Sequence, residues 1–318
     1  MTDRPTLALL IPAYNAAAFL PRLLKSAQAQ TVPFDQIWVY DDCSTDNTGA
    51  VAQAYGAKVL RGKTNKGCSE GKNALARHVE TDFLHFHDAD DELLPNFVSL
   101  AQKWIERDRY DVILFDYEWR DEESGKLISL RRFDPMALEL DARAYAIKEQ
   151  INAICGLYRR SKFLETGGYD TDKLVLYNED VAFHIRQAFA GLRFSAESEV
   201  SIINWYRSNS MSSGNAAKCA IAHFHVLRRT LSFNGAEKYH REIGAKLWSA
   251  AGVLGSLSCW AEADQAARLA SSLAPPTDAA GSKVFQRLAT ISPTMALRLR
   301  EHYMRHFKPN LREKMSGH

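Results

Sequence analysis

Two clusters of carboxylates in this 318-residue chain carry residue types that do chemistry. The first is Asp88-Ala89-Asp90-Asp91, at the end of the apolar run Phe83-Leu84-His85-Phe86. Asp88 and Asp90 are two apart, so an extended backbone would turn both side chains to one side. Like charges held that close need a cation between them. A hard divalent ion such as Mg²⁺ or Mn²⁺, shared with phosphate oxygens, meets that need. The plainer alternative is an acidic loop capping a helix that starts near Asp91 or Pro95, because aspartate is a good N-cap. The second cluster, Glu179-Asp180, opens a stretch from Val181 to Phe189 with apolar residues at helical spacing. Carboxylates are stabilised at a helix N-terminus, and one that faces a substrate hydroxyl would act as a general base.

Groups so far apart in sequence need a scaffold to bring strand ends together. Residues 1–120 repeat a short apolar strand, a polar loop and a helical stretch. The pattern predicts strands over Leu7–Ile11, Ile37–Tyr40, Lys58–Arg61, Phe83–Phe86 and Val112–Phe115. Ala18 to Gln28 places Leu20, Leu23, Leu24 and Ala27 on one helical face, and Asp46–Tyr55 and Ser69–Val79 read as the next helices. Thr45 or Asp46, and Ser69, are the candidate caps. Strands and helices alternating at this spacing argue for an α/β sheet of parallel units with right-handed crossovers. In such sheets ligands bind outside the carboxyl ends of the strands. Those ends read Pro12-Ala13-Tyr14-Asn15, then Asp41-Asp42-Cys43-Ser44-Thr45-Asp46, then Asn65-Lys66-Gly67 leading to Lys72-Asn73, then Asp88-Ala89-Asp90-Asp91. A ring to stack on, an acceptor for a base or ribose, and a cation plus lysine for phosphates suit a nucleoside diphosphate. No G-x-G-x-x-G and no G-x-x-x-x-G-K-[ST] follows the first strand, which disfavours a dehydrogenase or a P-loop ATPase.

Composition narrows the class further. Apolar residues make up 46% and charged residues 25%, ordinary for a soluble globular protein. A net charge of +2 gives no global field for nucleic acid. Five scattered cysteines (43, 68, 155, 219 and 259) contain no C-x-x-C pair, which points to a reducing compartment. The start Met-Thr-Asp-Arg-Pro does not read as a signal peptide, and Leu247 to Trp260 is too short to span a bilayer. The expected location is cytoplasmic.

The four strand-end motifs, in this order, resemble the nucleotide-binding half of family 2 glycosyltransferases, which have the GT-A fold. The resemblance implies an α/β, Rossmann-like mixed sheet, mostly parallel and flanked by helices. It implies a nucleotide-sugar donor bound by Pro12, Tyr14, Asn15, Asp42, Asn65, Gly67, Lys72, Asp88 and Ala89, with Tyr14 and Asp42 at the base. Asp90, with Asp88, would hold a divalent cation, Mn or Mg. Family members often carry Arg where this chain has Lys72, so the charge is kept and the bidentate fork is lost. Thr166-Gly167-Gly168-Tyr169-Asp170, followed by Tyr177-Asn178-Glu179-Asp180, is similar to the family's acceptor segment. That similarity implies Asp180 as the base, with Glu179 the fallback. Asn204-Trp205-Tyr206-Arg207-Ser208-Asn209-Ser210-Met211-Ser212 looks like the family's closing segment, in which Arg207 would steady the leaving diphosphate and Trp205 or Tyr206 would wall the sugar pocket.

Between these halves, Asp121-Glu122-Glu123-Ser124-Gly125-Lys126 reads as a hairpin tip, and Arg131-Arg132 as solvated surface. His85 and His87 read as packed strand histidines, with help to a metal at His87 the rival reading. Residues 1–214 form the expected catalytic domain, with a nucleotide half 1–120 and an acceptor half 121–214. Residues 215–318 form a helical appendage, with helices over Ala222–Leu231, Tyr239–Cys259 and Ala261–Leu273 and a break at Pro275-Pro276. The tail carries Arg298, Arg300, Tyr303, Arg305, Phe307, Lys308, Arg312 and Lys314. Such a helix is either plain surface or lies on the inner membrane surface beside a lipid-linked glycan acceptor. One base and no second nucleophile predicts inversion at the anomeric carbon. A sugar-phosphate nucleotidyltransferase and a catalytically silent nucleotide-sugar-binding protein are the alternatives; the first would carry a glycine- and basic-rich loop after strand one.

Overall fold

The computed structural model describes residues 4–207, 213–276 and 282–308. The strands are β1 (Leu7–Ala13), β2 (Gln36–Asp41), β3 (Lys58–Arg61), β4 (Phe83–Phe86), β5 (Glu92–Leu93), β6 (Val112–Asp121), β7 (Leu127–Arg131), β8 (Gly156–Arg159) and β9 (Phe194–Tyr206). The first helices are α1 (Leu20–Gln28), α2 (Thr48–Ala54), α3 (Cys68–His78), α4 (Phe97–Arg107), α5 (Pro135–Leu140), α6 (Ala142–Lys148), α7 (Arg160–Glu165) and α8 (Glu179–Phe189). They are followed by α9 (Ala216–Thr230), α10 (His240–Ser256), α11 (Trp260–Leu273), α12 (Lys283–Ile291) and α13 (Pro293–Phe307). Contacts divide the chain into two compact units. The first comprises Met1–Tyr145, Ile151–Thr171 and Arg186–Ser208; the second comprises Ala146–Gln150, Asp172–Ile185 and Asn209–His318.

The first unit holds one mixed sheet in the order β3-β2-β1-β4-β8-β6-β9-β5, with β7 paired to β6. β3, β2, β1 and β4 are parallel neighbours, as alternating strands and helices require. β8 enters antiparallel between β4 and β6, and β9 returns parallel to β6. One face of the sheet is closed by α4, whose Phe97 lies 4.2 Å from the His85 ring and 4.8 Å from Phe115. On the other face Phe86 packs on Phe163 at 5.2 Å and Tyr169 at 5.7 Å. Period-two alternation along β4 sends His85 and Phe86 to opposite sides. His85 is packed there, as read from the sequence. The α1 face buries Leu20, Leu23, Leu24 and Ala27, the four residues its spacing selects.

Four local readings change. The α2 helix starts at Thr48 with Asn47 at its N-cap, so neither Thr45 nor Asp46 stands there, although Asp46 Oδ1 still accepts from Thr48 N at 2.9 Å. The α3 helix starts at Cys68, and its cap is Gly67 rather than Ser69. Gly67 has φ +87°, where a glycine is favoured, so the chain turns into the helix one residue early. The backbone at 88–91 is not extended: Asp91 N donates to Asp88 O at 3.2 Å, closing a turn through Ala89 and Asp90. Before α4 there is the two-residue strand β5, so Asp91 caps no helix; Asn96 stands at that N-terminus. The hairpin tip forms as read, with Asp121 N bonded to Lys126 O at 2.9 Å.

The second unit is helical. α10 buries Ile243, Leu247, Trp248, Ala251 and Leu254, while α11 buries only alanines, 263, 266, 267 and 270. Small side chains let helix axes approach closely. Ser282 and Ser292 cap α12 and α13 by accepting from Phe285 N and Met295 N. Three arginines of the basic tail are tied into this unit. Arg298 pairs with Asp264 at 2.7 Å, Arg305 with Glu301 at 2.8 Å, and Arg300 lies over Phe285. Arg312 and Lys314 lie outside the described residues.

Candidate active site

The chain runs β1, β2, β3 outward, then crosses back to β4 on the other side of β1. The switch point therefore lies between β1 and β4, where sheets of this kind leave a crevice at the carboxyl ends. His87 N donates to Leu10 O and Asp42 N to Ala13 O, so alternate residues of β1 serve alternate neighbours. Pro12 faces the β4 side just beyond that last bond. Its missing N–H leaves no gap in the ladder there.

The loops at this end are braced by the residues the sequence singles out. Asn15 adopts φ +48° and accepts from Thr45 N at 2.9 Å, while its own N–H reaches Ser44 Oγ. Asp41 is buried and accepts from Ser44 N at 2.8 Å. Asp42 accepts from Lys66 N and Gly67 N, the latter at 2.7 Å, and so fixes the Asn65-Lys66-Gly67 loop. Tyr14 is 51% exposed, a ring left open for stacking. Asn65 is exposed as well. Burial and the neighbouring Asp42 carboxylate raise the Tyr40 phenol.

The Asp88–Asp91 turn carries the densest charge. Asp91 is buried, accepting from Trp205 N at 2.9 Å and Asn204 Nδ2 at 2.7 Å. Burial first, then the charge of Asp88, push its carboxyl up to about 8. Asp90 is partly exposed, and Arg207 Nη2 donates to its Oδ2. Arg207 also faces Glu122 at 3.5 Å and lies 4.0 Å over the Phe19 ring. Arg22 pairs with Glu122 at 2.8 Å, donates to the Asp90 carbonyl and stacks on Trp205. Trp205 is half-buried and its Nε1 donates to Glu92. Arg22, Phe19 and Glu122 carry no motif that would mark them in the sequence; α1 brings Phe19 and Arg22 to Asp90, and the β6–β7 hairpin brings Glu122. Ser208, Ser210 and Ser212 lie outside the described residues.

Lys72 is 2% exposed, with its Nζ 4.6 Å over the Tyr169 ring. The next residue, Asn73, brackets Tyr169: Oδ1 accepts from its N–H at 2.7 Å and Nδ2 donates to its carbonyl at 2.8 Å. Gly167 and Gly168 both have positive φ, and a Cβ on Gly168 would sit 2.3 Å from Asn73 Oδ1. Gly168 therefore serves close approach, while Gly167, with open space around it, serves the positive φ of the turn. Glu179 and Asp180 open α8 and belong to the second unit. Glu179 is buried, and the Asp180 carbonyl accepts from His184 Nδ1 at 2.7 Å. Tyr177, two residues earlier, has φ +74°, an uncommon conformation for a bulky side chain.

Residues 8–195 match the model of the family described as glycosyl transferase family 2. The chain belongs to glycosyl transferase family 2. An uncharacterized glycosyltransferase of Haemophilus influenzae is 35% identical over 103 residues, 32% of this chain and 35% of that protein. The poly(ribitol-phosphate) β-N-acetylglucosaminyltransferase TarS of Staphylococcus aureus is 30% identical over 114 residues, 34% of this chain and 20% of TarS. The matches thus span well under half the length of these curated relatives. Among solved structures, residues 1–349 of S. aureus TarS in complex with UDP-GlcNAc superpose with a TM-score of 0.71 at 18% identity, covering 94% of this chain and 91% of that one. The mannosyltransferase PcManGT from Pyrobaculum calidifontis, in complex with GDP-Man and Mn²⁺, gives 0.59 at 17% identity, covering 99% and 88%. The sheet of this family 2 glycosyltransferase is accordingly of the GT-A type.

Carboxylate oxygens of Asp88 and Asp90 are hard donors of the kind that would suit Mg²⁺ or Mn²⁺. Among the described residues no group of three or more His, Cys, Asp or Glu side chains converges on one point. Two carboxylates fit an ion that takes its other ligands from a diphosphate and water. His87 is buried and bonded through Nδ1 to His85 Nε2 at 3.0 Å, the packed arrangement expected for it.

Proposed function

We propose that this family 2 enzyme is an inverting glycosyltransferase that moves a sugar from a nucleoside-diphosphate sugar to a hydroxyl of a glycan or lipid-linked glycan. The observation that carries the reading is the gathering of Tyr14, Asp42, Asp88, Asp90 and Arg207 at the carboxyl ends of β1, β2, β4 and β9 within one unit. Tyr14 stacks on the base and Asp42, already holding the 65–67 loop, accepts from it; Pro12, Asn15, Asn65, Gly67 and Ala89 shape the walls. Arg207 meets the negative charge that grows on the departing diphosphate, and Lys72, buried over Tyr169, adds its positive charge from behind the site. Asp88 and Asp90 hold the divalent ion, which when bound supplies electrophilic stabilisation of that diphosphate. Asp180 takes the acceptor proton as its oxygen attacks the anomeric carbon, with Glu179 contacting the acceptor. A uridine donor is favoured by the likeness to TarS in complex with UDP-GlcNAc.

A nucleotidyltransferase is disfavoured because the loop after β1 is a braced Tyr14-Asn15 corner instead of a glycine-rich cradle. No helix among the described residues is long and apolar enough to cross a membrane. A lipid-linked acceptor would be met by peripheral contact through α13, where Met295, Leu299, Tyr303 and Phe307 are exposed at every-fourth spacing with Lys308 beside them.

The test is release of nucleoside diphosphate from a panel of UDP-, GDP- and dTDP-sugars, with Mn²⁺ and with EDTA, followed by co-sedimentation with anionic vesicles. One donor should turn over, lose activity in EDTA, and lose about 10²–10⁴-fold in Asp180→Asn. Full activity of Asp180→Asn would remove it as the base. Tight donor binding with no turnover on any acceptor would favour the silent binding protein.

A further inference from the structure

The cluster around Asp90 holds two guanidinium groups where the proposed function needs a divalent ion. Arg207 donates to the Asp90 carboxylate, lies 3.5 Å from Glu122 and rests on Phe19. Arg22 holds the other side of Glu122 and the Asp90 carbonyl. With Asp88, Asp90 and Glu122 as the anions, a divalent ion added on Asp90 would face two positive charges within the same shell. Like charges at such distances repel strongly in a half-buried site. A diphosphate brings the missing negative charge and a bidentate partner for a guanidinium.

We propose that Arg207 is the resident cation of the Asp90 carboxylate and is handed to the diphosphate when donor arrives. Metal and nucleotide then bind together, and each binds poorly alone. The inference rests on Asp90 being a metal ligand. It adds that metal and Arg207 exclude one another there. Glu122, anchored by Arg22, is the parking place that keeps Arg207 at the site. β9 ends at Tyr206, so the Arg207 side chain can change partners without breaking a strand ladder.

The test is Mn²⁺ binding to the full chain, read from the electron paramagnetic resonance signal of free Mn²⁺, with and without UDP. Wild type should bind Mn²⁺ weakly alone and about tenfold or more tightly with UDP. Arg207→Gln should bind Mn²⁺ alone about tenfold better than wild type, and UDP should then add little. Asp90→Asn should bind in neither condition. Equal Mn²⁺ affinity of wild type and Arg207→Gln, with Asp90→Asn dead, would overturn the exclusion and leave the metal site standing. Unchanged binding in Asp90→Asn, or no binding by any protein with UDP, would overturn the metal assignment and this inference with it.

Discussion

Replacing Asn73 by Ala removes one buried amide that makes two hydrogen bonds to a single residue across 96 positions of sequence. The loss is more than the two bonds. Tyr169 keeps an N–H and a carbonyl in a site where Asn73 itself is 5% exposed and Tyr169 2%. A net neutral hydrogen bond contributes about 1 kcal/mol, and each polar group left buried without a partner costs roughly 1–3 kcal/mol. Partial rescue by water brings the expected total to about 2–4 kcal/mol. For a unit of this size that lowers the thermal midpoint by about 5–15 °C. The readout is the midpoint by circular dichroism, paired with a UDP titration, because Tyr169 is the ring under Lys72. Asn73→Asp is the informative partner. It keeps an acceptor for the Tyr169 N–H but sets a carboxylate against the Tyr169 carbonyl, so it should be no better than alanine. A midpoint within about 2 °C of wild type in both variants, below 1 kcal/mol by the same conversion, would refute the bracket.

Two further outcomes are expected. Gly168→Ala should cost about 2 kcal/mol or more, since its φ of +65° and the 2.3 Å approach to Asn73 leave a methyl nowhere to go; an unchanged urea midpoint would contradict this. Stability should also fall as pH drops from about 6.5 toward 4. Burial holds His85, and separately His223, down to about 4 in the folded chain, so the unfolded chain takes up protons first through that window. For His85 the loss approaches about 3 kcal/mol by pH 4, and a flat midpoint between pH 7 and 5 would refute it.

The amino-terminal half of the fold was legible because parallel strands buried on both faces are short apolar runs, and whatever follows each run is delivered to one edge. Leu7–Ala13 and Phe83–Phe86 follow that rule throughout and Gln36–Asp41 in its second half, while the edge strand Lys58–Arg61 shows it only in Val59-Leu60. The antiparallel insertion was not legible. Nothing local in Gly156–Arg159 says that it slots between β4 and β6, and nothing in Glu122 or Arg22 says that they meet Arg207. Those positions are fixed by pairings far apart in sequence, β5 with β9 above all. The turn at Asp88 was missed for a related reason: its closure depends on Asp91 being held by Asn204 and Trp205. Glu179 and Asp180 were legible as a helix start because two acids before an apolar-periodic run are a local signal.

The sheet closes on one side with the four residues of β3 and on the other with the two of β5. Strands that short give a neighbouring molecule little to pair with, so neither end templates growth. β7 is different. It pairs with β6 alone and exposes Leu127, Ile128 and Leu130. Concentrated protein should self-associate first along this edge, and Lys126, Arg131 and Arg132 bracket it as the charges that oppose such pairing.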